Sequence, residues 1–271
     1  MAHWNVTNKN GIVSAAYNDP PMNYFTTAGT TELAALIEEW CDPAVKVVIL
    51  TGGVPGKFIT HYSVEELLSY AEDRDELRRS GTAFNDDYHA LLNALQNLPK
   101  PVIAAMNGDT MGGGFELALA CDIRIAARGE HRIGFPEVKV GLLPGGAGTQ
   151  RLPRLIGVGR ALDFILRGSV VDPDYALALG LVHELADDAA ARALELADEL
   201  SRLSAFALAA VKRCVYASVD TDFATGQKLE AHCFADTLLT DEGLAKMRSY
   251  IAVPPAQRGA LFGLRRSGDA G

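Results

Sequence analysis

The chain has 271 residues, 48% of them hydrophobic and 22% charged, with a formal net charge of −9. That composition fits a soluble globular protein with a sizeable core, built as one large domain or one domain plus an appendage. The acidic balance argues against a general nucleic-acid binder, and no apolar run reaches the length that spans a bilayer. Met1 to Asn5 carry no basic-then-apolar secretory pattern. The four cysteines (Cys41, Cys121, Cys214, Cys233) are scattered without CxxC or metal-ligand spacing. They read as reduced thiols in a cytoplasmic protein, and no metal site is expected.

In chain order, residues 11–17 have β character and end at the turn Asn18-Asp19-Pro20-Pro21. Thr30 or Thr31 is expected to cap a helix running to Trp40, with Leu33, Leu36, Ile37 and Trp40 on one face. Residues 45–51 read as a buried strand, and residues 57–60 start a short one after a Gly-rich turn. The mixed charges of residues 64–79 predict a solvated helical face, and residues 83–98 an amphipathic helix stopped by Pro99. Residues 101–108 read as a buried strand closing on a turn.

The stretch from Gly112 to Asp122 follows. Its helix, expected over 115–121, is apolar almost all round except for Glu116, placed in the first turn. Glycines ahead of a buried helix leave N–H groups free to meet an oxyanion, and a carboxyl buried there calls for a function or a partner. Strands are expected over 122–127 and 133–135. Beyond Pro136-Glu137, a Gly-rich loop (141–148) enters a helix. Short helices follow over 157–166 and 173–179, then a last strand over 181–185. From Asp188 the pattern is helical nearly to the end, with breaks near Ser204, Asp220 and Asp241. The reading is therefore an alternating α/β core over 1–187 and a helical region over 188–271. No P-loop or dinucleotide fingerprint is present.

The runs Val47-Val48-Ile49-Leu50-Thr51-Gly52, Pro99 to Gly108, Gly112 to Ala127, and Pro136-Glu137 through Pro144 to Leu152 together resemble the crotonase family, the enoyl-CoA hydratases and isomerases. The order and spacing match from about residue 10 to residue 185. The resemblance implies a crotonase-like spiral of ββα repeats with a helical C-terminal trimerisation region, assembled as a homotrimer or as a hexamer of two trimers. It implies an acyl-CoA thioester substrate and no cofactor beyond that CoA moiety. By position, Glu116 and Glu137 match the two catalytic glutamates, and Gly113 matches one oxyanion-hole N–H. Tyr62 matches the other. Thr60, His61, Ser63, Gly112, Gly114, Pro136 and Gly145 fall around the substrate. The implied reaction adds water across an α,β-unsaturated thioester, which needs a base, an acid and a held enolate; two carboxyls sharing an apolar pocket can supply both proton roles.

The sequence departs from the family pattern in two places. Where the family carries a small-residue stretch, this chain has Thr60-His61-Tyr62-Ser63. Where the family has basic residues for the CoA phosphates, near residues 19–23, this chain has Asp19 and no base; Arg265-Arg266 is one candidate replacement. A crotonase-fold isomerase, or a C–C bond hydrolase acting on another acyl-CoA or on a CoA-free β-diketone with His61 involved, is the alternative. A catalytically idle oligomeric scaffold is a third. His89, His131 and His183 read as ordinary structural histidines.

Overall fold

The computed structural model describes residues 2–263; Arg265 and Arg266 lie outside the described residues. The chain opens with a hairpin, β1 (Trp4–Lys9) and β2 (Ile12–Tyr17), paired antiparallel. The sequence gives no sign of β1 because only Trp4 of its six residues is buried, so no alternation marks it. Helix α1 spans Thr27–Glu39 and is capped by Thr26, whose hydroxyl accepts from the Gly29 N–H. Thr30 and Thr31, expected as caps, lie inside the helix and donate their hydroxyls to the Thr27 carbonyl. Thr26 wins because its backbone is the extended one.

Three strand–strand–helix turns follow. The first comprises β3 (Val47–Gly52), β4 (Gly56–Lys57), α2 (Val64–Glu72), α3 (Arg74–Ser80) and α4 (Asp86–Asn97). The second comprises β5 (Val102–Met106), β6 (Gly108–Met111) and α5 (Gly112–Ala120). The third comprises β7 (Ile123–Ala127), β8 (Ile133–Gly134), α6 (Gly148–Ile156) and α7 (Val158–Leu166). Then come β9 (Val170–Val171), α8 (Pro173–Leu179), β10 (Glu184–Ala186) and the helices α9 (Ala189–Ser201), α10 (Ala205–Asp220), α11 (Phe223–Leu239) and α12 (Asp241–Ala252). The first strand of each turn joins a six-stranded sheet, β1-β2-β3-β5-β7-β10; the second joins a four-stranded sheet, β4-β6-β8-β9. The expected ββα spiral is thus observed.

The central strands of the larger sheet are buried on both faces. Its β3, β5 and β7 are near-continuous apolar runs, as parallel strands covered on both sides require. One face meets the main core, with Phe58, Phe115 and Phe135 completely buried. The other meets α9, where Ala189, Ala193 and Ala197 recur every fourth residue against Val47, Ile49, Ile103 and Ile125. Helix α9 therefore packs as part of the sheet sandwich. Helices α10 to α12 contribute only one buried residue among those described, Cys233. A cavity of about 740 Å³ lies between α10 and the core, touching the C-terminal end of α5 and lined in part by Asp122, Arg151, Lys212 and Tyr216. Lys212 and Tyr216 both donate to the Asp122 carboxylate there. Among the described residues no helix is long and apolar enough to cross a membrane.

Candidate active site

The glycine run lies inside α5, not ahead of it. Gly112 is its first residue, and Glu116 therefore falls in the second turn, correcting the first-turn placement read from the sequence. Two glycines explain themselves sterically. Gly112 has φ +49°, a left-handed conformation that side chains resist, and a Cβ on Gly114 would overlap the Ile59 carbonyl. No side chain caps α5, whose N-cap is Met111. The N–H groups of its first turn have no partner within the helix.

The 60–63 loop is laid against this helix end. It is stitched to the 22–25 segment: the Thr60 N–H donates to Asn23 O (3.1 Å), the Phe25 N–H to His61 O (2.8 Å) and the Ser63 N–H to Phe25 O (2.8 Å). On its other side the Met111 N–H donates to Thr60 O (3.0 Å). That ladder uses His61 and Ser63, so the alternate residue, Tyr62, turns its own N–H to the opposite side. The Tyr62 nitrogen lies 3.4 Å from where a Cβ on Gly113 would stand. The two residues expected to supply the oxyanion N–H groups are therefore neighbours, although they are 51 positions apart in sequence.

Glu116 is 2% exposed. Its Oε1 accepts the N–H groups of Gly146 (2.6 Å) and Gly148 (2.8 Å). Ala147, between them, has φ +68°, which turns both N–H groups to one side as a concave anion nest at the start of α6. Burial pushes the Glu116 carboxyl up to about 7, against the opposing pull of the two N–H groups and of Arg151. Glu137 follows Pro136 in the one-turn 3-10 helix Glu137–Val140. Its carboxyl is also raised to about 7, first by burial and then by the charge of Glu116. Its Oε2 is buried with no hydrogen-bond partner among the described residues. An orphaned buried carboxylate oxygen costs stability and marks a place where a ligand atom fits. Glu137 Oε1 lies 3.3 Å, and the His61 Cβ 3.4 Å, from a Cβ built on Gly112, so all three meet at the N-terminus of α5.

The structure thus brings Glu116, Glu137, His61, Tyr62, Gly112, Gly113 and Gly114 together. Pro136 sets the turn that carries Glu137, and Gly145 is held by Asn85 and His89, both bonded to its carbonyl. The side chains of Thr60 and Ser63 have scaffold partners instead. Thr60 is buried with its hydroxyl on Met22 O, and Ser63 caps α2 by accepting the Glu66 N–H.

Three residues at the site had no signal in the sequence reading. Tyr88 on α4 donates to Gly113 O (2.8 Å) and packs edge-on against Tyr62, with ring centroids 5.5 Å apart. Burial and the neighbouring Glu116 hold its hydroxyl well above its ordinary value, so it stays a donor. Arg151 ties the Gly146 carbonyl to Gln96 and Asn93 of α4. Tyr24 stacks on His61, centroids 4.3 Å apart. Tyr88 reads in sequence as one more residue of an amphipathic helix, Arg151 as a charge on the next, and Tyr24 as part of a turn. Only their distant contacts distinguish them.

This architecture, two stacked sheets wound from ββα turns with two carboxyls at the N-terminus of the central helix, is the crotonase fold. The enoyl-CoA hydratase/isomerase family model matches residues 7–251, and the chain belongs to that family. Among solved structures it is similar to Pseudomonas aeruginosa DspI (TM-score 0.84, 30% identity, 93% of this chain and 95% of that one). It is equally similar to an enoyl-CoA hydratase from Bacillus anthracis (TM-score 0.84, 29% identity, 92% and 96%). Among curated proteins, mitochondrial methylglutaconyl-CoA hydratase of Rattus norvegicus is 36% identical over 226 residues, 80% of this chain and 69% of the relative. The enoyl-CoA isomerase/hydratase fer4 of Mycosarcoma maydis is 41% identical over 157 residues, 57% of each.

Proposed function

We propose that the protein is an enoyl-CoA hydratase-like lyase that adds water to an α,β-unsaturated acyl-CoA. The observation that carries this reading is the Glu137 carboxyl, set with Oε1 beside Gly112 and Oε2 buried without a partner among the described residues, together with the second raised carboxyl, Glu116, on the helix that Gly112 begins. The environments divide the proton roles. Glu116, steadied by two N–H groups and Arg151, is the carboxylate that takes a proton from water. Glu137, whose Oε2 has no donor, is the acid that protonates the α-carbon. The water oxygen bonds to the β-carbon as the double bond's electrons move onto the thioester oxygen. The N–H groups of Tyr62 and Gly113 hold that enolate until the α-carbon takes the Glu137 proton, and the thioester carbonyl re-forms. Proton exchange with solvent resets the pair.

A second reading, hydrolysis or isomerisation of another carbonyl substrate such as a CoA-free β-diketone, is favoured by His61 meeting Glu137 at Gly112. We also propose a homotrimer or trimer-based hexamer, a cytoplasmic location and a division of the chain at 187/188. Large apolar side chains exposed on α10 to α12, Val215, Phe223, Phe234 and Leu239 among them, support the assembly.

The test is loss of enoyl absorbance on hydration of a short enoyl-CoA. Turnover that falls a hundredfold or more in Glu137→Gln, within the range general acid–base groups contribute (about 10²–10⁴), supports the lyase reading. Absence of thioester turnover, together with β-diketone cleavage that is lost in His61→Ala, replaces it with the second.

A further inference from the structure

The nucleotide end of a CoA thioester carries a diphosphate and a 3′-phosphate, and the segment around Asp19 offers these no cation. The structure has a cationic cluster elsewhere. Asp109 of β6, 4% exposed, is held between Lys57 of β4 and Arg132, which immediately precedes β8. Lys57 Nζ lies 2.6 Å from Asp109 Oδ2, and Arg132 Nη2 lies 2.6 Å from the same oxygen, with Nε 3.3 Å from Oδ1. Two cations on one carboxylate leave a net positive charge on an otherwise acidic molecule. Asp109 is held down to about 2 by these partners, so that charge balance persists across the physiological range. Asp109 engages Nε and Nη2 of the Arg132 fork; Nη1 has no protein partner among the described residues, and the side chain is 56% exposed.

The cluster is aligned with the active site. Thr110 and Met111 of β6 point their N–H groups in opposite directions, one to the Arg132 carbonyl and the next to the Thr60 carbonyl. Arg132 and Thr60 therefore flank β6, two strand spacings or about 10 Å apart. From Thr60 the chain passes to His61, which adjoins Gly112 and stacks on Tyr24. Tyr24 in turn stands within electrostatic reach of Arg132. The His61–Tyr24 ring pair beside Glu137 and the exposed Arg132 guanidinium are thus carried on neighbouring segments joined through β6.

We propose that Arg132, braced by Asp109 and seconded by Lys57, binds a phosphate of the CoA nucleotide, with the His61–Tyr24 pair between it and the reacting thioester. This rests on the acyl-CoA reading above. A guanidinium held on one edge by a carboxylate is pre-oriented for a phosphate oxygen on the other.

The experiment measures kcat and KM of wild type, Arg132→Gln and Arg132→Lys with three thioesters of one enoyl group: CoA, 3′-dephospho-CoA and pantetheine. The wild-type preference in kcat/KM for CoA over pantetheine narrows about tenfold in R132Q, through KM, and R132K restores part of it. If R132Q no longer discriminates CoA from dephospho-CoA, the 3′-phosphate is the group bound; if its deficit is the same on both, the diphosphate is. An equal fall on the CoA and pantetheine thioesters, or a ratio that does not move, overturns the proposal, since an arginine that only braces Asp109 affects all three alike. If wild type turns over no thioester, the acyl-CoA reading has failed on its own. Calorimetry with adenosine 3′,5′-bisphosphate then decides the cluster: binding weakened about tenfold in R132Q supports it, and no binding, or binding equal in the variant, overturns it.

Discussion

Glu116 serves two opposed ends. Its Oε1 takes two N–H groups at the start of α6, as a capping carboxylate would, while burial holds its carboxyl at about 7 against an ordinary value of 4.5. Because the folded state raises this group, its stability contribution is unpenalised below pH 4.5, declines as pH rises to about 7 and stays low above. Glu116→Gln keeps an oxygen for both N–H groups and removes the charge. It is expected to match wild type near pH 4 and to be more stable at pH 8, by at most about 3 kcal/mol, in paired denaturant titrations. A second prediction follows from the pair. Turnover needs one carboxyl ionised and the other protonated, so kcat/KM against pH is bell-shaped with its maximum near 7. A flat profile from pH 5 to 9 would count against paired action. Glu137 shows why its role could be carried only by family resemblance at the level of sequence: a glutamate after a proline looks like any surface loop. Its unpartnered oxygen is a property of the surrounding fold.

At the scale of the element, α5 depends on glycine for approach rather than flexibility. The 58–60 backbone runs against Gly114, where a methyl group would overlap the Ile59 carbonyl. Gly114→Ala therefore forces α5 away from the 60–63 loop and separates the Tyr62 and Gly113 N–H groups. The expected cost is about 1–3 kcal/mol in thermal or chemical denaturation, as for other overpacked cores. Turnover is expected to fall further than stability, since the proposed oxyanion donors must be placed within a few tenths of an ångström. Helix α9 packs by the same closeness through three alanines spaced four apart. That spacing was legible as a helix, but the sheet face it covers was not.

For the whole molecule, α10 to α12 expose many large apolar side chains, Phe223 at 82% and Leu239 at 79% among them. Side chains of that size left in water on several neighbouring helices imply a covering surface. Sedimentation at micromolar concentration is expected to give three or six times the chain mass, and Leu239→Lys to shift it towards the monomer. A monomeric wild type would remove the proposed assembly.

The sequence by itself determined the apolar parallel strands, the buried helix around Glu116, the alternation of strands and helices and the helical ending. These depend on periodicity and on turn and cap residues that act within a few positions. The extra strands β1, β6 and β9 escaped it, being exposed or only two to four residues long. So did the cap at Thr26, decided by backbone conformation among four nearby threonines. Only the tertiary structure decided that Tyr62 and Gly113 are neighbours, that Tyr88 braces them, that Arg151 ties the Gly146 carbonyl to α4, and that Glu137 has an oxygen without a donor. Those facts depend on burial and on contacts between residues far apart in the chain. Local sequence encodes neither, because a side chain's solvation and partners are set by the elements that the whole fold brings against it.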